Sequence, residues 1–364
     1  MKKCTKCILQ ENFPGIKFNS NRVCNYCNNY KKIETKGKKA LEKILLECRL
    51  KGIGKKYECM VCWSGGRDSS YVLYQLVKKH KLRVLAVTLD SGLITEYAYK
   101  SMKRAKDILG IDHLIIKLDS KSILKHVGQN IRAWLNNPSF LMISIFAVAD
   151  KTFGFKLSKI GKQYNIPLLV MGGNTGVENT SFKTGYVGIY EEPNQIRFIQ
   201  SIKLLWVYLL EYIKNPRYIN GSLKYIIPGW FDFFIFQTHN KNFLHYFQYV
   251  KWDEEEISKT ICEKLDWNIP LDTTQTWRIG DATSPWYNFL YYSMTGFTEN
   301  DELLSNMIRE GMITREDALK RVEEENRPRY EEIKKYLKMV NVDIDIYELE
   351  KRLKNYRKNI NVEN

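Results

Sequence analysis

A six-residue run, Ser64-Gly65-Gly66-Arg67-Asp68-Ser69, restricts the fold more than any other feature of this chain. Upstream of it, Tyr57-Glu58-Cys59-Met60-Val61-Cys62-Trp63 reads as a buried strand over 58–63. Downstream, Val72, Leu73, Leu76 and Val77 recur at helical spacing. Two glycines let a backbone approach an anion closely, and amides at a helix N-terminus then point at it. Hydroxyls at Ser64, Ser69 and Ser70 add donors. The run is not the GxxxxGK[ST] loop, which occurs nowhere in the chain. Further strands are expected at 83–89, 113–118 and 167–171, alternating with helical segments. The expected fold class is therefore α/β, a parallel doubly wound sheet covered by helices on both faces.

Cysteine spacing constrains the N-terminus. Cys4-x2-Cys7 and Cys24-x2-Cys27 lie 16 residues apart, the arrangement of a tetrahedral Cys4 site. A segment this short and polar buries too little surface to fold without metal. A closed site of this kind is structural, and zinc is preferred to an iron–sulfur cluster. The competing account, two disulfides, does not suit a cytoplasmic chain. Cys59-x2-Cys62 has the same spacing but falls on a strand, where residues three apart point to opposite faces. Those two are read as small buried hydrophobes.

The rest of the chain divides by composition. Residues 1–30 form the knuckle, 31–56 a Lys-rich linking helix with Leu41, Ile44, Leu45 and Cys48 on one side, and 57–184 the sheet domain. Residues 185–330 combine an aromatic-rich stretch, such as Trp230-Phe231-Asp232-Phe233-Phe234, with a helical substrate region. There Asp253 and Glu256 fit an N-cap with its reciprocal partner, Gly311 ends one helix and Thr314 caps the next. Cys262 is expected to pack inside a helix over 254–264. Residues 331–364 are expected to form a charged surface helix. Lys and Arg number 57 against 41 acids, and the resulting +16 suits an anionic partner: nucleic acid, nucleotide, acidic sugar or membrane surface. No apolar run reaches the ~18 residues of a spanning helix. Met1-Lys2-Lys3-Cys4 has no apolar stretch behind it, so a cytoplasmic location is expected.

Ser64-Gly65-Gly66-x-Asp68-Ser69 resembles the pyrophosphate-binding motif of the N-type ATP pyrophosphatases (PP-loop enzymes), which cleave ATP to AMP and pyrophosphate while activating a carbonyl oxygen. Further segments resemble the N-acetyl sugar amidotransferases of surface-polysaccharide (lipopolysaccharide) synthesis. These are Cys4-Thr5-Lys6-Cys7, Phe13-Pro14-Gly15-Ile16-Lys17-Phe18, Val23-Cys24-Asn25-Tyr26-Cys27, Lys251-Trp252-Asp253-Glu254-Glu255-Glu256 and the stretch from Leu304 to Leu319. Three places depart from that family. Arg67 stands where Lys is usual, residues 136–142 lack the cysteines of some relatives, and Thr276-Trp277-Arg278-Ile279-Gly280-Asp281 replaces a histidine-rich segment.

The resemblance implies ATP and Mg2+ as the reacting pair and an amide oxygen of a sugar or sugar nucleotide as the acceptor. Ammonia would come from a separate glutaminase subunit, since the chain shows no glutaminase triad. Ser64, Gly65, Gly66, Arg67 and Ser69 would hold pyrophosphate. Asp68 would contact Mg2+ or, alternatively, cap the helix. Ligands in such sheets bind beyond the carboxyl ends of strands. Asp90 and Gly92 are thereby placed near adenosine, and Gly172, Gly173 and Asn174 near the α-phosphate or acceptor carbonyl, with ordinary turn chemistry as the alternative for Asp90 and Asn174. Lys251 and Arg278 are the basic candidates for phosphate or an acidic acceptor. The rival readings are a tRNA-modifying enzyme of the same loop class and a non-catalytic zinc- and nucleotide-binding scaffold. Thiolation needs sulfur-carrying cysteines, and after Cys62 the chain has only Cys262.

Overall fold

The computed structural model describes residues 2–148, 153–173, 176–178, 182–190, 198–229 and 243–360. Asn174 and the aromatic run 230–234 lie outside the described residues. Among those described, one sheet of 5 parallel strands is formed in the order β3-β2-β1-β4-β5. The strands are β1 (Cys59–Cys62), β2 (Val84–Asp90), β3 (Asp112–Lys117), β4 (Leu168–Met171) and β5 (Phe243–His245). In the register, Cys62 lies between Val87 of β2 and Met171 of β4. The chain lays β2 and β3 on one side of β1, then crosses to lay β4 and β5 on the other. The strand order therefore reverses between β1 and β4.

Period-2 alternation sends the sheet's side chains into two separate cores. Cys59, Val61, Ala86 and Val170 meet helices α1 (Lys38–Lys51), α2 (Arg67–Tyr74) and α3 (Glu96–Leu109) through Leu45, Val72 and Met102. On the other face Met60, Leu85, Val87 and Leu169 pack on Leu157 and Ile160 from a helix at Phe153–Gln163. Helices thus cover both faces, and Cys59 and Cys62 sit on opposite ones as the strand spacing requires. A third core joins the Cys4 knuckle, the helix α4 (Ser120–Asn136) and the C-terminal helices.

With the Phe153–Gln163 helix as α5, the later helices are α6 (Phe198–Lys214), α7 (Glu254–Leu265), α8 (Ser284–Thr295), α9 (Glu299–Glu310), α10 (Arg315–Glu325), α11 (Tyr330–Met339) and α12 (Ile346–Ile360). Asp253 caps α7 by accepting from the Glu256 amide at 3.0 Å. Both halves of a capping box occur instead at Thr298 and Asp301, which open α9. Gly311 ends α9 with positive φ and Thr314 caps α10, as expected.

Three expectations are corrected. The sheet does not end at 184, because β5 is drawn from the region assigned to substrate; three residues carry too little periodicity to be read. The segment beyond 330 is no solvated surface helix. Ile333, Tyr336, Leu337, Ile346, Leu349 and Leu353 form a buried stripe beneath its charges. Cys262 is exposed, since Ile257, Ile261 and Leu265 are the residues α7 buries.

Candidate functional site

Where β1 and β4 part company, the turn after β1 opens into α2. Gly65 has φ +75, a conformation that an L side chain strains to adopt, and its carbonyl accepts from Trp267 Nε1 at 3.0 Å. Ser64 Oγ and Ser69 Oγ lie 3.2 Å apart, and the Ser69 hydroxyl bonds the Gly66 carbonyl at 3.2 Å. The Gly66 amide, an exposed one, reaches Ser64 Oγ at 3.3 Å. No side chain caps α2, so the account of Asp68 as an N-cap is overturned. An uncapped helix start of this kind presents the amide donors that anion sites use.

The loop after β4 faces this turn across very little space. A Cβ on Gly172 would lie 2.8 Å from Ser69 Cα and N. The two loops therefore approach backbone to backbone, which only glycine permits. Between them and β2 lies a cleft of about 380 Å³. Its lining combines the polar turn residues Ser64, Gly66, Ser69, Gly172 and Gly173 with the apolar Cys62, Val87, Leu89, Leu118, Phe153 and Met171. A size of this order and an apolar lining with a few convergent polar groups are ordinary for a small-molecule site.

The remaining wall comes from far along the chain. The Thr95 amide donates to Gly280 O at 3.0 Å, and the Ala282 amide to Leu93 O at 2.9 Å. These bonds stitch residues 278–283 to the loop after β2, so Arg278, Asp281, Thr283 and Tyr287 also face the cleft. Arg278 is not a bare cation there, since its guanidinium bonds Asp281 at 2.9 Å and Glu299 at 2.9 Å. Lys183 pairs with the same Glu299. Burial opposes ionisation of Glu299, but the two cations overcome it and hold its carboxyl at about 2 against an ordinary 4.5. A depressed carboxylate stabilises the fold above its unfolded value and loses that contribution as pH falls through its folded value. Acid titration should therefore show a loss on the order of 3 kcal/mol between about pH 4.5 and 2. Glu299→Gln should flatten that limb in denaturant midpoints measured against pH.

Several expected site residues lie elsewhere. Arg67 does not reach the cleft. Its side chain is 1% exposed and bonds Asp68 at 3.0 Å, Glu178 at 2.6 Å, Glu254 at 2.6 Å and Thr276 at 2.8 Å, over the Trp252 ring. Asp68 is absorbed into the same cluster. Its Oδ1 accepts from Trp252 Nε1 at 2.7 Å and both oxygens meet the Arg67 guanidinium. Burial pushes the Glu178 carboxyl well up, and the neighbouring Asp68 adds to the shift. Glu254 stays ionised despite its burial because Arg321 and Arg67 hold it. Asp90 is buried and accepts from the Gly92 amide at 2.8 Å, which is turn chemistry, and neither lines the cleft. Lys251 is exposed and also off the cleft. Asp281 supplies the cleft's carboxylate among the described residues, and its oxygens already accept from Arg278, Thr283 N and Thr283 Oγ1. That lining does not fit a dedicated Mg2+ ligand set.

The cysteine expectation fares differently. Sγ of Cys4, Cys7, Cys24 and Cys27 all lie within 4.8 Å of one another and are buried. Cys7 and Cys24 sulfurs are 3.7 Å apart and those of Cys4 and Cys27 4.0 Å, which a tetrahedron of ~2.3 Å metal–sulfur bonds would produce. Amides of Lys6, Cys7 and Cys24 point at Cys4 Sγ at 3.2–3.4 Å. Arg309 adds donors to Cys27 Sγ and Cys7 Sγ at 3.5 and 3.6 Å. Hydrogen bonding from Cys24 and Cys7, with Arg309 behind it, holds Cys27 far below an ordinary thiol. The four residues can hold a metal ion. Sequence reading missed Arg309 and Arg315, which ties down the Cys4 and Cys7 carbonyls at 3.0 Å. Both lie in the stretch 304–319, whose resemblance to the same family as the knuckle was the available signal.

No family model matches the sequence. Over 121 residues the chain is 30% identical to an uncharacterized protein of Methanocaldococcus jannaschii, a match covering 32% of this chain and 43% of that protein. The chain thus spans less than half the length of the curated relative it matches. Among solved structures, the U34-tRNA thiolase NcsA from Methanococcus maripaludis with its 4Fe–4S cluster aligns at a TM-score of 0.30 and 16% identity, over 90% of this chain and 91% of that one.

Proposed function

We propose that the chain is an ATP-dependent amidotransferase that forms AMP and pyrophosphate. The carrying observation is the uncapped start of α2, with Ser64, Gly66 and Ser69 lining a mostly apolar cleft. The polar turn suits pyrophosphate and the apolar lining suits adenine. An acceptor amide oxygen attacks the α-phosphorus, giving an O-adenylyl imidate and releasing pyrophosphate. Ammonia adds to the imidate carbon, and AMP leaves with the former amide oxygen. An amidine remains. The protein's share is to hold the leaving group and exclude water, so catalysis rests on positioning and electrostatics. An N-acetyl group of a sugar or sugar nucleotide is the acceptor favoured by the motif resemblance. A separate glutaminase subunit is the ammonia source, because Cys262 sits exposed on a helix and forms no nucleophile elbow.

Cysteine placement supports this reading over tRNA thiolation. Cys62 is the cysteine lining the cleft among the described residues, and burial pushes its thiol up, away from the reactive thiolate. Cys59 faces the opposite side of the sheet. Zinc in the Cys4 knuckle would serve as a structural brace.

The test is product analysis with ATP, ammonia and candidate acceptors. AMP and pyrophosphate should form only with acceptor, and the product should be lighter by the difference between O and NH. Turnover with tRNA and not with sugars would replace this reading by the tRNA one; none with any acceptor would leave the scaffold. Gly172→Ala should lower pyrophosphate release about a hundredfold, since the added methyl must push the two loops apart. Near-normal turnover in that variant would remove the cleft from the mechanism.

A further inference from the structure

Helix α6 is apolar around most of its circumference, which is the pattern of a covered helix. One side is covered by the protein itself. Tyr208 and Tyr212 pack on the third core, and Tyr208 Oη lies 2.5 Å from Ser144 Oγ. The opposite side is not. Ile202, Leu205, Trp206, Leu209, Leu210 and Ile213 recur at helical spacing and all are exposed, Trp206 by 60% and Ile213 by 64%. Ile219 and Ile227 extend the same exposed character past the helix end. Contiguous exposed apolar patches beyond a few hundred Å² mark interaction surfaces on soluble proteins.

Charge around the stripe tells what covers it. Residues 198–229 carry Lys203, Lys214, Arg217 and Lys224 against a single acid, Glu211, a net +3. Glu211 is itself paired with Lys214 at 3.0 Å. A second copy of the chain is a poor occupant. A two-fold axis through the helix would set the Lys203 end against the Lys214 and Arg217 end of its mate, juxtaposing like charges. An anionic bilayer offers both an apolar layer for the stripe and negative headgroups for its cations, and demands no matching shape. With 17 residues α6 is about 25 Å long, and no helix among the described residues is long and apolar enough to cross a membrane. It would lie in the interface plane.

We propose that the exposed face of α6 docks the protein on an anionic membrane surface. This surface is independent of the cleft chemistry. Flotation of the full chain with phosphatidylcholine vesicles, and with vesicles also containing phosphatidylglycerol, tests it. The chain should float with the anionic vesicles and dissociate as salt rises. Leu205→Glu with Leu209→Glu should cut the bound fraction at least about tenfold while circular dichroism is unchanged. Trp206→Ser, a milder change, should shift binding in the same direction, and Lys203→Glu with Lys214→Glu should weaken only the anionic preference. Three results would overturn the proposal: no flotation at low salt, equal flotation of the Leu205→Glu/Leu209→Glu protein, or a solution dimer that this pair of substitutions splits.

Discussion

Arg67→Met should destabilise the protein by about 3–5 kcal/mol, because it strands half-buried carboxylates without their buried cation. Asp68, Glu178 and Glu254 all converge on that guanidinium, whose side chain is 1% exposed. Glu178, pushed up by its burial, can stay protonated. Asp68 and Glu254 then carry the cost, and Arg321 can answer only for Glu254. Arg67→Lys should fall between, since an ammonium cannot span a fork that reaches Thr276 and three carboxyl groups. Urea midpoints at neutral pH measure this, and a loss under about 1 kcal/mol for methionine would refute a structural role. Turnover provides the second reading. Arg67 lies outside the cleft, so under the proposed function a variant rescued at low temperature should keep its apparent affinity for ATP.

Purified protein should contain about one metal ion, and Cys24→Ser should lose it together with most of the stability of the knuckle and of its packing on the third core. Structural zinc supplies on the order of 10 kcal/mol in small domains that cannot fold without it. Here the knuckle is not isolated. Arg309 and Arg315 bind its sulfurs and carbonyls, and Ile8 N reaches Ser305 Oγ at 3.4 Å. Release of metal should consequently raise amide exchange in α9 and α10 as well as in residues 2–30. Metal analysis, calorimetry and hydrogen exchange check the three parts. A Cys24→Ser protein with full metal and an unchanged melting temperature would remove the site. Iron and sulfide in place of zinc would change the metal and keep the ligands.

Much of this architecture was written locally. The Ser64–Ser69 run, the alternation of apolar strands with helical spacing and the two cysteine knuckles each arise from neighbours in sequence, so period and spacing expose them. The caps at Asp253 and Thr314 belong to the same class. The turn at Ser64, Gly66 and Ser69 and the glycines after β4, which line one cleft, were legible in the same way.

Tertiary structure decided what depends on partners distant in sequence. Arg67 and Asp68 sit in the motif, yet Glu178, Trp252, Glu254 and Thr276 turn them away from the cleft and into a buried cluster. The same limit hid β5, whose three residues form a strand only because β4 offers them hydrogen bonds. It also hid the buried stripe of α11 and α12, where charges dominate composition while Ile333, Leu337 and Leu353 supply the packing. A motif fixes backbone shape through its own residues, whereas the direction of a charged side chain is set by whichever counter-charge the fold brings within reach.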